Sequence, residues 1–288
     1  MKPPPHTDKA PAAPRAAAPF LKWPGGKKQL LPEILPRLPA HARTYYEPFV
    51  GGGAVFFAMA AARRFDRAVI GDRNGMLVEI YEAVRDRVDE VIAALRAHAA
   101  HATDKEHFYA VRALDPAALD PVRRAANLLY MNKTCYNGLF RVNRQGRFNV
   151  PFGRYLKPRV LDEGLLRAAA GALEGVEIVE ADFGEIAGRA GRGDAIYFDP
   201  PYVPLSRTSS FSAYDAFPFG PAEHERLAGA YRACLARGAA AVLSNSWCPF
   251  TVKLYRGLQC RRILATRNIN SVSSRRGRIP ELLVTGPR

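Results

Sequence analysis

The chain has 288 residues, 48% hydrophobic and 24% charged, enough for one large core, or one core plus a smaller insert, in an ordinary globular protein. Lys and Arg number 42 against 27 Asp and Glu, a net charge of +15; that excess points to a polyanionic partner, nucleic acid first, unless arginine is simply the commonest solvated residue here. The cysteines (Cys135, Cys234, Cys248, Cys260) form no C-x-x-C pair and lack a His at ligand spacing, which argues against zinc, and no run suits a membrane span or signal core, so a cytoplasmic protein with reduced thiols and no metal is expected.

Residues 1–19 are Pro-, Ala- and Lys/Arg-rich, a composition that cannot bury a core, so order is expected to start at Phe20. Phe20-Leu21-Lys22-Trp23-Pro24-Gly25-Gly26-Lys27 follows. It is not a phosphate loop, because Leu21 stands where that motif needs Gly and Lys28 where it needs Ser or Thr. Trp23 beside two glycines suits a lid over a planar or sulfur-bearing ligand, or a cover for the core. Thr44–Phe49 reads as a strand entering the turn Gly51-Gly52-Gly53, with a helix from Ala54 to about Arg64 and a second strand over Ala68–Asp72, a βαβ unit.

The pattern then changes. Val84, Val88, Val91 and Leu95 fall at helical spacing, and residues 108–111 and 125–131 are helical in tone. Residues 76–161 therefore read as a helical insert with a basic, Gly- and Asn-rich second half. Strands resume at Val176–Val179, Asp194–Phe198, Ala240–Ser244, Arg261–Ala265 and Glu281–Thr285, with a helix between Pro221 and Arg237. About seven strands alternating with helices make a doubly wound α/β sheet, residues 20–75 and 162–288, interrupted by the insert.

Four places carry chemistry. Asp199-Pro200-Pro201-Tyr202 ends the apolar run 195–198, at the strand edge where open α/β sheets bind ligands. The prolines have no N–H, Asp199 is a strong acceptor and Tyr202 a flat face, so the set suits a planar base bearing an exocyclic amine. A proline turn with a capping Asp is the plainer alternative. Gly51 and Gly53 let backbone lie against a ligand, Asp72 ends the next strand where ribose hydroxyls would fall, and Glu47 adds charge suited to a cationic ligand. Phe56 breaks the dinucleotide pattern and leaves a plain nucleoside open; an ordinary tight turn with a capping Asp72 is the alternative. Asp182-Phe183 repeats the acid-plus-aromatic theme, although helix capping is the simpler explanation of this pair. Finally, Lys133, Arg141, Arg144, Arg147 and Arg154 interleave with Tyr136, Phe140, Phe148 and Tyr155. Such a segment either contacts phosphates, base edges and an opened step, or is a basic loop over packed aromatics.

F-L-K-W-P-G-G-K, E-P-F-V-G-G-G, the D-R-N of residues 72–74 and D-P-P-Y, in this order, resemble the Dam-type (D12 class) DNA N6-adenine methyltransferases. Residues 132–155 resemble that family's DNA-reading hairpin, 205–214 its loop after D-P-P-Y, and Ile269-Asn270-Ser271 with Glu281-Leu282-Leu283 its C-terminal end, so the similarity spans residues 20–286. It implies a fold built on an S-adenosylmethionine (AdoMet) site, with residues 76–161 as target-recognition domain. It implies AdoMet contacts from Trp23, Lys27, Asp72, Asp182, Phe183 and Asp199, with the glycine turn beneath the methionine part. A flipped adenine would stack on Tyr202 and give its N6 hydrogens to Asp199 and the Pro200 carbonyl. Lys22, Leu139, Arg141, Pro151 and Tyr155 match positions that contact a GATC site, and Tyr136 and Asn137 those that invade the duplex. Arg154 joins them as a DNA contact; Arg275, Arg276 and Arg278 suit the backbone.

The expectation is therefore an AdoMet-dependent DNA adenine-N6 methyltransferase acting on double-stranded DNA, with GATC as target, working as a monomer, either solitary or beside a restriction nuclease. The rivals are an N4-cytosine methyltransferase, a DNA-binding protein that has lost catalysis, and, more distantly, an RNA-modifying enzyme.

Overall fold

A computed structural model describes residues 15–143, 145–204, 219–266 and 278–287. After a short helix α1 (Leu31–Ile34), the chain runs β1 (Ala42–Glu47), α2 (Ala54–Ala61) and β2 (Phe65–Asp72). Helices α3 (Gly75–Asp86), α4 (Val88–Ala99), α5 (Lys105–Ala113), α6 (Pro121–Thr134) and α7 (Glu163–Leu173) come next. Then follow β3 (Glu177–Glu180), α8 (Phe183–Gly188), β4 (Ala195–Phe198), α9 (Pro221–Ala236), β5 (Ala240–Ser246), α10 (Pro249–Leu254), β6 (Gln259–Thr266) and β7 (Arg278–Thr285).

The strands form one sheet in the order β3-β2-β1-β4-β5-β7-β6, with β7 antiparallel to both neighbours and every other pair parallel. The apolar runs of β1, β2, β4 and β5 are buried on both faces, as parallel strands between helical layers must be, whereas edge strand β6 exposes Leu264 and edge strand β3 is only partly buried. Alternation decides the face. Tyr45, Ile70, Ala195, Tyr197 and Val242 join the cluster that continues into α3–α7, whereas Tyr46, Val69, Ile196, Phe198 and Leu243 pack with α8 and α9. Strand order reverses between β1 and β4, so their carboxyl ends open a crevice there. Glu47 and the glycine turn leave one side of it, Asp199 the other.

Several boundaries differ from the sequence reading. The described chain begins at Arg15, which pairs with Asp162 while Ala17 packs on the core; residues 15–19 lie on the body instead of belonging to a loose tail. The first strand spans 42–47 and the second 65–72, each starting earlier than read from the sequence because Arg43, and Asp66 with Arg67, interrupt the apolar pattern just after the start. A break at Arg87 (φ −138°, ψ 40°) places Val84 and Val88 on different helices. The helical segment begins inside α3, which packs on β2 and β3 as well as on α6, so sheet and helices share one apolar cluster. Helix starts follow local chemistry: Asp104, Asp120, Asp162 and Asp182 each accept a backbone N–H of the first turn. Residues 1–14, Arg144, 205–214, 269–271, Arg275 and Arg276, on which parts of the sequence reading rest, lie outside the described residues.

Candidate active site

The crevice is lined by groups from four strand ends. Gly51 and Gly53 hold φ of +48° and +70°, left-handed values that side chains resist. A Cβ on Gly51 would stand 2.7 Å from Trp23 Cδ1, and one on Gly53 2.7 Å from the Tyr81 hydroxyl. The turn is thus pressed between the indole and α3. Tyr81 donates to the Gly51 carbonyl (3.0 Å), while Asp72 accepts from Gly51 N–H (3.4 Å) and Asn74 N–H (3.0 Å). Trp23 packs against Phe140 of the insert, ring centres 4.8 Å apart.

Lys27 is buried, with its ammonium 2.8 Å from Asp199 Oδ1 and 4.7 Å from the centre of the Tyr202 ring. Ser244 donates to the same Asp199 oxygen (3.1 Å). Burial raises the Asp199 pKa; Lys27 and Ser244 oppose that rise. Tyr202 donates to Glu281 Oε2 (2.8 Å), which fixes the end of its ring. Pro200 is buried and Pro201 exposed.

Glu47 sits behind the turn instead of on its surface. It is two residues from Tyr45 on one strand, hence on the same face, and it accepts the Tyr45 hydroxyl at 2.6 Å. Burial pushes its pKa up to about 8, so it is largely neutral at pH 7 and offers a ligand little negative charge.

Asp182 caps α8 through Gly184 N–H (2.8 Å) and is gripped by Arg226 at 2.6 and 2.8 Å, the main reason its pKa lies below the usual range. Phe183 is fully buried, packed on Phe49 (5.3 Å) with the Arg226 guanidinium 3.9 Å from its ring centre. Asp182 performs the capping role that its sequence favoured, and Arg226 was not visible as its partner. Phe183 presents no exposed face to a purine.

The basic aromatic segment folds as a hairpin-like excursion from the end of α6. Bridges join Cys135 to Phe152 and Val142 to Phe148, and Asn149 N–H returns to the Arg141 carbonyl (3.0 Å). The aromatics divide between inward and outward positions. Phe140 and Phe148 pack inward, edge to face, whereas Tyr136 is 44% exposed. Beside it Asn137 takes a φ of +54° at an exposed tip. Arg141 projects from the strand with its guanidinium braced by Asn149 Oδ1 (2.7 Å). Lys22 crosses from the N-terminal motif: its backbone exchanges hydrogen bonds with the Asn132 amide (2.7 and 2.8 Å) and its ammonium lies 4.1 Å from the Tyr155 ring centre. Leu139 is half-buried, and Pro151 and Arg154 are exposed. Lys133 is the exception among the cations: burial, with Lys22 near, lowers its pKa to about 8.

Glycines, an indole, acids and aromatics line the crevice at the sheet's carboxyl edge, and the basic hairpin adjoins it through the Trp23–Phe140 contact. The model of the D12 class N6 adenine-specific DNA methyltransferases matches residues 23–270, and the chain belongs to that family. It is 38% identical to the Type II methyltransferase M1.LlaDCHI of Lactococcus lactis subsp. cremoris, covering 93% of this chain and 94% of that protein. It is 40% identical to the Type II methyltransferase M.MjaIII of Methanocaldococcus jannaschii (92% and 98%) and 36% identical to the DNA adenine methylase of Escherichia coli strain K12 (92% and 93%). It is an adenine-specific DNA methyltransferase. Among the described residues no helix is long and apolar enough to cross a membrane.

Proposed function

We propose that this protein uses AdoMet to methylate the N6 amine of an adenine flipped out of duplex DNA, with GATC as its target, acting as a monomer. The reading is carried by one observation: the Lys27–Asp199 pair and Tyr202 meet at the sheet's switch point, beside a turn in which added Cβ atoms would strike Trp23 and Tyr81. That cradle fits a nucleoside-sized ligand. Trp23, Lys27, Gly51, Gly53 and Asp72 would hold AdoMet; Asp182 and Phe183 border the adenine end, more as supports than as contacts. When bound, AdoMet supplies an electrophilic methyl group on a sulfonium centre.

The rest falls to the chain. Tyr202 offers a face to the extruded base, whose unstacking costs about a few kcal/mol. Asp199 and the Pro200 carbonyl accept its two N6 hydrogens, drawing the nitrogen lone pair out of conjugation and aiming it at the methyl carbon. A carboxylate cannot first deprotonate a neutral aromatic amine. With AdoMet bound, the N–C bond would form as the S–C bond breaks and the neutral thioether leaves, before the proton departs; Asp199 would then take the proton from the cationic product nitrogen.

Residues 76–161 serve as the target-recognition region, with Lys22, Leu139, Arg141, Pro151 and Tyr155 reading bases, Tyr136 and Asn137 entering the duplex, and Arg154 contacting the backbone. Support comes from the way Lys22 is fastened to the hairpin base and Tyr155. The Type II names of two relatives favour a second biological setting, beside a restriction nuclease. Sequencing that maps N6-methyladenine in DNA from cells expressing the protein tests the proposal: methylation confined to GATC is expected, and another motif would overturn the target assignment.

A further inference from the structure

The segment after Asp199 is poor in backbone donors. Pro200, Pro201 and Pro204 have no N–H, which leaves the peptides of Tyr202 and Val203 as the means of pinning it. The structure closes on Val203. Its N–H donates to Asn245 Oδ1 (3.2 Å), and its carbonyl accepts from Ser246 Oγ (2.6 Å). Both partners stand where β5 has outrun β4, whose last pairing is Phe198 with Leu243. Past that point the side chains of β5 replace the missing ladder: Ser244 takes Asp199, and Asn245 and Ser246 take Val203.

The clasp is rigid for identifiable reasons. On its other side β5 pairs with β7, Asn245 opposite Leu282 and Ser246 opposite Glu281, and Glu281 is the residue that holds the Tyr202 hydroxyl. Asn245 is fully buried and its amide is spoken for: Oδ1 also accepts Ser246 N–H (2.8 Å), and Nδ2 donates to His224 Nδ1 on α9 (3.4 Å). Burial lowers the His224 pKa to about 4, so the ring is neutral and able to accept. A buried amide that closed only its own strand end would not need to reach across to another loop.

We propose that Asn245 and Ser246 are positioning residues of the methyl-transfer centre. By capturing both polar groups of Val203 they fix the Pro200 carbonyl and the Tyr202 ring, and hence the direction of the amine lone pair. This rests on the reading that Asp199–Tyr202 holds the target base.

The test uses the full chain with AdoMet and a GATC duplex. Asn245→Ala and Ser246→Ala are compared with the parent in single-turnover methylation, in affinity for AdoMet and for duplex by calorimetry, and in thermal melting. Each is expected to slow the single-turnover step at least about tenfold, the effect of misplacing a reacting group, with both affinities within about threefold. Ser246→Thr, which keeps the hydroxyl, should retain most of the rate. Rates within about fivefold of the parent for Ser246→Ala would overturn the proposal, as would affinity for AdoMet falling in step with rate. Should Asn245→Ala fail to fold, Ser246→Ala decides alone. Asp199→Ala is run alongside: turnover surviving in that variant would overturn the reading of the site itself, whereas its loss beside a normal Ser246→Ala would overturn only the clasp.

Discussion

Lys27 and Asp199, one from the first motif of the chain and one from the end of the fourth strand, form an ion pair at 2.8 Å with the lysine buried. The pair joins the N-terminal motif to the D-P-P-Y edge and shares its acid with Ser244. An acid so engaged is preorganised as a hydrogen-bond acceptor and does not have to reorient when the base arrives.

Asp199→Ala is therefore expected to abolish methyl transfer while duplex affinity stays within about threefold, since phosphate contacts supply most of it. Asp199→Asn keeps one acceptor oxygen and should leave a small residual rate. Tyr202→Phe, losing only the bond to Glu281, should be milder than Tyr202→Ala, which removes the stacking face. Single-turnover methylation and a filter-binding titration check all four. Turnover of Asp199→Ala within about tenfold of the parent would remove its assigned role.

Gly51→Ala should damage the cofactor site before it damages the fold. Its φ of +48° and the Trp23 indole 2.7 Å from the added Cβ mean that backbone or ring must shift. A left-handed alanine costs about 1–2 kcal/mol, visible as a lower melting temperature. AdoMet affinity measured by calorimetry should fall at least about tenfold. Unchanged affinity would show that the turn does not touch the cofactor.

The parts legible in the sequence were those encoded locally. The cores of β1, β2, β4 and β5 were legible because both their faces are buried, and the D-P-P-Y edge and glycine turn because proline and glycine restrict backbone wherever they stand. The starts of β1 and β2, interrupted by Arg43 and by Asp66 and Arg67, and the break at Arg87 carry no such signature. The groups around the site were also hidden. The strand read to Ser244 stopped short of Asn245 and Ser246, because small polar residues acquire partners only when β4 and β5 lie side by side. Arg226 is one arginine among many until α9 sets it on Asp182. Glu47 read as a charge offered to a ligand, whereas burial leaves it largely protonated at pH 7.

That protonation gives a pH prediction with a definite sign. The Glu47 pKa is raised from 4.5 to about 8 by folding. Between those values the unfolded chain has released the proton and the folded chain keeps it, so this residue's effect on stability becomes more unfavourable as pH rises. Glu47→Gln retains an acceptor for Tyr45 but does not titrate. Thermal melts of parent and variant should therefore differ least near pH 5, with the variant gaining on the parent up to about pH 8 and no further beyond it. A difference that is flat with pH would mean that Glu47 is ionised in the folded protein.

Arg141 should carry sequence information, and Arg154 should not. Arg141 leaves the hairpin strand with its guanidinium oriented by Asn149, a preset suited to the paired O6 and N7 acceptors of guanine; losing such a contact costs about 1–3 kcal/mol of discrimination. Arg141→Ala is expected to relax the preference at one guanine of the site. Arg154 is exposed and lies beyond the hairpin bridges. Arg154→Ala should weaken binding to every sequence alike and lower the salt slope by about one. The check is methylation of GATC against single-substitution duplexes for both variants at one salt concentration, with affinity measured across a salt series. If Arg141→Ala loses equally on all substrates, it is another backbone contact, and the strongest support for GATC as the target is withdrawn.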